Sequence, residues 1–263
     1  MNVNDYLCSE NEKPLDRICR DGGFTSIFRT ICCVGDSLSS GEFEATAADG
    51  GTLYLDMFEY SWGQFIGRMC GSTVYNFSRG GMTASEYCSG WAEGMDFWNP
   101  KYASQAYIIA LGVNDILNMS QPVGTMDDIC DEDWHKNSTE TFAGWYGQLI
   151  QRLREIRPDA KFFLMTMCRG SWVGDREAKI DAHAELLYKM AEHFPNTYVL
   201  DIRKYGPVHD EAFCKAFYMG GHLNPMGYRF TAEEVTSYID YIIRKNPEDF
   251  KQVAFIGTPY KKL

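Results

Sequence analysis

Residues 29–37 read RTICCVGDS, a short apolar run that stops at Gly35, Asp36 and Ser37. The run is continuous rather than alternating, and a tight-turn signal follows it at once. That pattern predicts a strand covered on both faces that enters a sharp turn. Four further runs share the character: TVYNF (73–77), AYIIAL (106–111), KFFLMTMC (161–168) and TYVLDI (197–202). Buried runs of this kind suit parallel strands.

The stretches between them carry helical periodicity. Phe58, Trp62, Phe65, Ile66 and Met69 fall on one face, and Phe142, Trp145, Tyr146, Leu149, Ile150, Leu153 and Ile156 on another. Ile180, Ala184, Leu187, Ala191 and Phe194 form a third, and Val235, Tyr238, Ile239, Ile242 and Ile243 a fourth. Strand and helix alternate from about residue 29 to residue 245. The fold class predicted is α/β, a three-layer α/β/α sandwich on a doubly wound parallel sheet of about five strands, flavodoxin-like in outline. Residues 1–28 read as an N-terminal arm with one short helix, and residues 29–263 as the domain. Residues 118–140, rich in Asp, Pro, Gly and Ser, read as a long loop of the kind that often caps a site. Residues 247–263 read as a surface tail.

The totals narrow the function. A net charge of −11 over 263 residues argues against a phosphate-backbone partner. It also disfavours polyanionic substrates. Nine cysteines include the adjacent Cys32 and Cys33, but no zinc-like Cys/His cluster. They read as apolar thiols in a reducing compartment. Residues 2–20 are polar and no apolar run approaches membrane-spanning length, so the expected location is cytoplasmic, with no membrane partner. No metal or cofactor is implied, and nothing in the sequence specifies an oligomer.

Ligands of a parallel α/β sheet gather at the carboxyl ends of its strands. Four polar clusters lie there: Gly35-Asp36-Ser37-Leu38, the NFSRGGMT segment (76–83), Gly112-Val113-Asn114-Asp115, and His222-Leu223-Asn224-Pro225. Each has a plain structural reading beside a chemical one. Ser37 could cap the helix after the first strand. Asn114 and Asp115 could close a strand in an Asx turn. Gly81 could be a turn glycine and His222 a surface histidine. Asn224 and Pro225 are a strong N-cap and first-turn pair.

Taken together and in order, the four blocks resemble the SGNH/GDSL hydrolase family, over roughly residues 30–245. The resemblance implies Ser37 as nucleophile and His222 as its base. It implies an oxyanion hole from the backbone N–H groups of Ser37 and Gly81, with Gly80 the lesser choice, and the Asn114 amide. Asp36 and Asp115 adjoin these residues as supporting groups. The chemistry agrees: a serine hydroxyl needs an imidazole to take its proton, and preorganised donors stabilise the oxyanion. A glycine at 81 would let backbone approach that oxyanion closely.

One position departs from the family. Where it carries an orienting Asp three residues before the histidine, this chain has Met219, followed by Gly220 and Gly221. The expectation is a Ser–His dyad, with a backbone carbonyl as orienting acceptor, or an acid from elsewhere, for which Asp210 and Asp201 are the candidates. The function expected is hydrolysis of carboxylic esters through an acyl-enzyme on Ser37, with small acyl groups such as acetyl on a carbohydrate or other small alcohol. Trp62, Trp134 and Trp172 are candidates for sugar stacking, Trp62 also lying on a core face. His135, His183, His193 and His209 are read as structural. Two alternatives are a non-catalytic SGNH-like carbohydrate-binding protein and a flavodoxin-like phosphate- or flavin-binding module.

Overall fold

Five parallel strands set the frame: β1 (Thr30–Gly35), β4 (Thr73–Ser78), β5 (Ala106–Ala110), β6 (Lys161–Met165) and β7 (Thr197–Leu200), in the order β4-β1-β5-β6-β7. A computed structural model describes residues 3–170 and 174–261. All five apolar runs of the sequence are strands of this sheet. The three central strands are buried on both faces, as continuous apolar patterning requires, and the edge strands β4 and β7 are buried in part. In β1, Cys32 and Val34 enter one core while Ile31 and Cys33 enter the other. Helices α3 (Phe142–Ile156) and α4 (Asp175–His193) cover the first face. Helices α2 (Trp62–Cys70) and α5 (Pro225–Lys245) cover the second. The result is the expected three-layer α/β/α sandwich.

Register matters more than order. Gly35 of β1 pairs with Ser78 of β4 on one side and with Ala110 of β5 on the other. Three neighbouring strands therefore end level, and the segments that follow them emerge side by side.

Two elements lie outside the predicted pattern. Between β1 and α2 the chain forms an antiparallel hairpin, β2 (Glu42–Thr46) and β3 (Thr52–Asp56). Every residue of β3 is exposed. The second is at Phe58, which belongs to a separate turn ahead of α2 and is 45% exposed, so the first helical face begins at Trp62.

The N-terminal residues pack on α5. Arg244 pairs with Asp240 at 2.6 Å and Glu12 at 2.7 Å, and the Phe24 N–H donates to Asp240 at 2.7 Å. Residues 118–140 lie along α3 and the end of α4, where Gln151 donates to the Cys130 carbonyl and His193 meets Asp131. All nine cysteines are free thiols. Among the described residues no helix is long and apolar enough to cross a membrane.

Candidate active site

Ser37 is the first residue of α1, a single turn spanning Ser37–Ser40 that leaves β1 directly. Asp36, not Ser37, caps it: the Asp36 carboxylate accepts from the Leu38 N–H at 3.0 Å. The cap role therefore falls to the neighbouring residue, and among the described residues no hydrogen bond engages the Ser37 hydroxyl. Asp36 is buried beside the serine, and burial pushes its carboxyl up to about 7.

The second block leaves β4 as Arg79, Gly80 and Gly81. Gly81 is exposed with φ +71°, and a Cβ there would touch nothing. The glycine is explained by its left-handed backbone, not by a crowded approach. Crowding belongs to Gly80, where a Cβ would fall 1.9 Å from a Glu42 carboxylate oxygen.

The third block leaves β5. Asn118 donates to the Asn114 side-chain oxygen at 2.8 Å, and Asn114 Nδ2 donates to the Met82 carbonyl at 3.1 Å. These contacts fix which end of the amide is nitrogen and leave its second N–H uncommitted. Asp115, fully buried, accepts from the Ala84 N–H at 2.7 Å and so ties this block to the second. Burial raises its carboxyl to about 6.

His222 stands on a two-residue ladder in which it faces Met219, with Gly220 and Gly221 turning between them. Asn224 then caps α5, accepting from the Gly227 N–H at 2.9 Å, with Pro225 in the first turn. The imidazole is held between two carboxylates of the hairpin. Its Nδ1 lies 2.9 Å from Glu44 and its Nε2 lies 3.0 Å from Glu42. The His222 contact, with the Gly221 N–H, holds the Glu44 carboxyl below the usual range. Burial raises that of Glu42. Tyr228, buried in α5, donates to the Glu42 carbonyl at 2.7 Å and lies 3.3 Å from the Ser37 carbonyl, joining the hairpin to the serine turn.

Two candidate acids are placed elsewhere. Asp201 caps the turn Ile202–Tyr205 through Lys204 N–H at 2.9 Å and accepts from Tyr188 at 2.8 Å. Asp210 caps the helix Glu211–Phe217 through the Phe213 N–H at 2.9 Å. Each carboxylate is committed to a helix N-terminus, and neither is bonded to His222.

Of the tryptophan candidates within the described residues, neither gives a stacking face at the serine. Trp62 is core, 1% exposed. Trp134 stacks on His135 and donates to Glu155 on α3. Trp172 lies outside the described residues. The aromatic beside the site is Tyr54 of β3, 60% exposed, its ring edge-on to His222 at 5.8 Å. Of the other histidines, His183 is buried against the Leu111 carbonyl at 3.2 Å and pushed down to about 4 by burial. His209 bonds Tyr218, while His135 and His193 pair with Asp133 and Asp131. Among the described residues no cluster of His, Cys, Asp or Glu is arranged to hold a metal ion.

A family model for GDSL-like lipases and acylhydrolases matches residues 33–230. The chain belongs to that family. It is a carboxylic ester hydrolase of the GDSL type, which sets aside the flavodoxin-like phosphate- or flavin-binding alternative. No curated protein matches it. Solved structures share the GDSL hydrolase fold at low identity. A family 2 carbohydrate esterase from Clostridium thermocellum, in complex with cellohexaose, is 15% identical at a TM-score of 0.57, over 90% of this chain and 66% of that one. A carbohydrate esterase family 2 enzyme with a carbohydrate-binding domain, from Corynascus thermopiles (Myceliophthora fergusii), is 15% identical at 0.55, over 83% and 67%. The acetyl xylan esterase AlAXEase is 16% identical at 0.52, over 80% and 99%.

Sequence reasoning missed the hairpin acids of this GDSL hydrolase. The signal was present in the alternation Glu42-Phe43-Glu44, in Leu53-Tyr54-Leu55, and in the Asp-Gly-Gly turn between them.

Proposed function

We propose that the protein removes small acyl groups, foremost acetyl, from a carbohydrate or similar small alcohol through an acyl-enzyme on Ser37. The observation that carries the reading is the level ending of β1, β4 and β5, which sets Ser37, Gly81 and Asn114 at one edge of the sheet. His222 Nε2 takes the proton of the Ser37 hydroxyl as its oxygen bonds to the ester carbonyl carbon. The negative charge moves to the carbonyl oxygen, where the N–H groups of Ser37 and Gly81 and the second N–H of Asn114 receive it. Collapse breaks the bond to the alcohol oxygen, and His222 returns its proton to that oxygen. Water then repeats the sequence on the acyl-enzyme, releasing the acid and restoring Ser37.

The substrate reading has two supports. A cavity of about 70 Å³ adjoins the serine turn, lined by Leu38, Leu111, Val113 and Leu223 as well as Asp36 and Glu234, and a short acyl group is the occupant we propose for it. Tyr54 offers an exposed ring at the rim, where the apolar face of a sugar packs.

The test combines a covalent probe with a substrate series. A fluorophosphonate should label wild type and not Ser37→Ala, which should keep its fold and lose esterase activity. The kcat/KM for p-nitrophenyl esters should fall steeply beyond about four carbons, and acetylated xylan or simple acetylated sugars should be deacetylated. Labelling of another serine refutes the nucleophile, and equal turnover of acetyl and octanoyl esters refutes the acyl preference.

A further inference from the structure

Met219 stands where an orienting carboxylate would precede the histidine, and it is 44% exposed. Its ladder partner His222 nevertheless meets a carboxylate at Nδ1. That carboxylate comes from 178 residues earlier in the chain, on β2. We propose that Glu44 is the positioning residue of this active site, so that the catalytic unit is a Ser37–His222–Glu44 triad whose acid is supplied by the β2–β3 hairpin. The inference rests on the reading of Ser37 and His222 as nucleophile and base.

Three observations carry it. First, one oxygen of Glu44 serves both the imidazole and its loop: Glu44 Oε1 accepts from the Gly221 N–H at 2.7 Å and lies 2.9 Å from His222 Nδ1. An ionised carboxylate only accepts, so Nδ1 carries the proton, and Nε2, 3.0 Å from Glu42, is the nitrogen left to act as the base once that contact opens. Second, the loop is cut to fit this acid. A Cβ on Gly220 would fall 2.0 Å from Glu44 Oε2, and one on Gly221 would fall 2.8 Å from Oε1. Gly220 also has φ +72°. The two glycines that follow Met219 leave room for an acid arriving from outside the loop. Third, the hairpin presents the residue by register. Glu44 lies directly opposite Tyr54, whose ring edge meets the imidazole on another side. Cross-strand neighbours of an antiparallel pair share a face, so acid and aromatic reach His222 together.

Glu42 does not compete for the role. It faces Nε2, the nitrogen that must exchange a proton with Ser37, and an acceptor fixed there would block the base. Its contact has to open for turnover, whereas that of Glu44 persists through the cycle.

The test compares Glu44→Gln with wild type and Ser37→Ala on p-nitrophenyl acetate, alongside imidazole ¹⁵N and ¹H NMR. Glutamine can donate to Nδ1 and so favours the wrong tautomer. Glu44→Gln should lower kcat by roughly 10²- to 10⁴-fold with KM nearly unchanged. It should slow fluorophosphonate labelling of Ser37 in step, and move the ring proton off Nδ1. A purely structural role would not move the tautomer. A Glu44→Gln enzyme within about threefold of wild type, beside an inactive Ser37→Ala, overturns the triad and leaves the hydrolase reading standing. Retained activity in Ser37→Ala removes that reading and the triad with it. The wild type alone supplies a check that needs no folded variant: an Nδ1 without a proton at neutral pH overturns the proposal.

Discussion

Asp115 accepts the Ala84 N–H at 2.7 Å across 31 residues of sequence, and this bond fastens the loop after β5 to the loop after β4. The two loops carry Asn114 and Gly81, so their mutual placement depends on a residue that faces no substrate. Asp115→Ala leaves a buried N–H without an acceptor. It should cost about 1–3 kcal/mol of stability and roughly 10- to 100-fold in kcat through misplacement of the donors. Asp115→Asn keeps an acceptor oxygen and should lose much less. Chemical denaturation and steady-state kinetics on both variants check this, and equal losses in the two would deny the bond its role.

On the proposed reading the free N–H of Asn114 meets charge that develops only in the transition state, so Asn114→Ala should lower kcat by roughly 10²–10³ with a smaller effect on KM. If KM alone rose, Asn114 would be a substrate-binding residue.

Glu42 touches the nitrogen of His222 that must be bare for base catalysis. That contact has to open before Nε2 can reach the serine proton. Glu42→Gln weakens it without emptying the space, so kcat/KM on p-nitrophenyl acetate should rise by roughly two- to fivefold. An unchanged or lower value would show that the contact does not restrain the base.

One buried acid in α5 should work against stability as pH rises, opposing the buried His183 and the half-buried His209, whose rings burial pushes down to about 4 and which favour the fold as pH climbs. Glu234 is 4% exposed, and burial raises its carboxyl to about 8 from an ordinary 4.5. The folded protein keeps a proton that the unfolded chain releases. The stability from this group is therefore complete below about 4.5 and lost as pH climbs through about 8. Asp36 and Asp115 act with the same sign over lower windows. Glu234→Gln has no proton to lose. Thermal unfolding at pH 5, 6.5 and 8 should show a less negative slope with pH for the variant than for wild type, and an unchanged slope would clear Glu234 of the effect.

The sheet was legible because its signal is local and one-dimensional. Runs such as AYIIAL declare a strand whatever surrounds them, and all five runs are strands of the sheet. The Ser37, Gly81, Asn114 and His222 blocks were legible because each sits within a few residues of a strand end or a helix cap. Glu44 was not, since nothing near it in sequence points to a histidine 178 residues away; only the folded hairpin joins them. Asp201 and Asp210 misled for the opposite reason. They lie near the histidine in sequence, but each precedes a helix whose free N–H groups claim it. At Gly81 the glycine answers to a left-handed backbone and not to the expected close approach, and sequence reveals a glycine without telling the two apart.

The hairpin gives the enzyme an arithmetic vulnerability. Side chains alternate along β2, so Glu42 and Glu44 reach the imidazole while Phe43 packs on Tyr60 and Tyr228 behind them. Inserting one residue between Gly41 and Glu42 would invert that parity, turning both acids away and bringing Phe43 towards His222. The tip at residues 47–51 carries no such constraint and can lengthen freely. Relatives of this chain should thus vary in hairpin length at the far end and keep strict count at the near one, since a frame of two residues separates an armed histidine from an idle one.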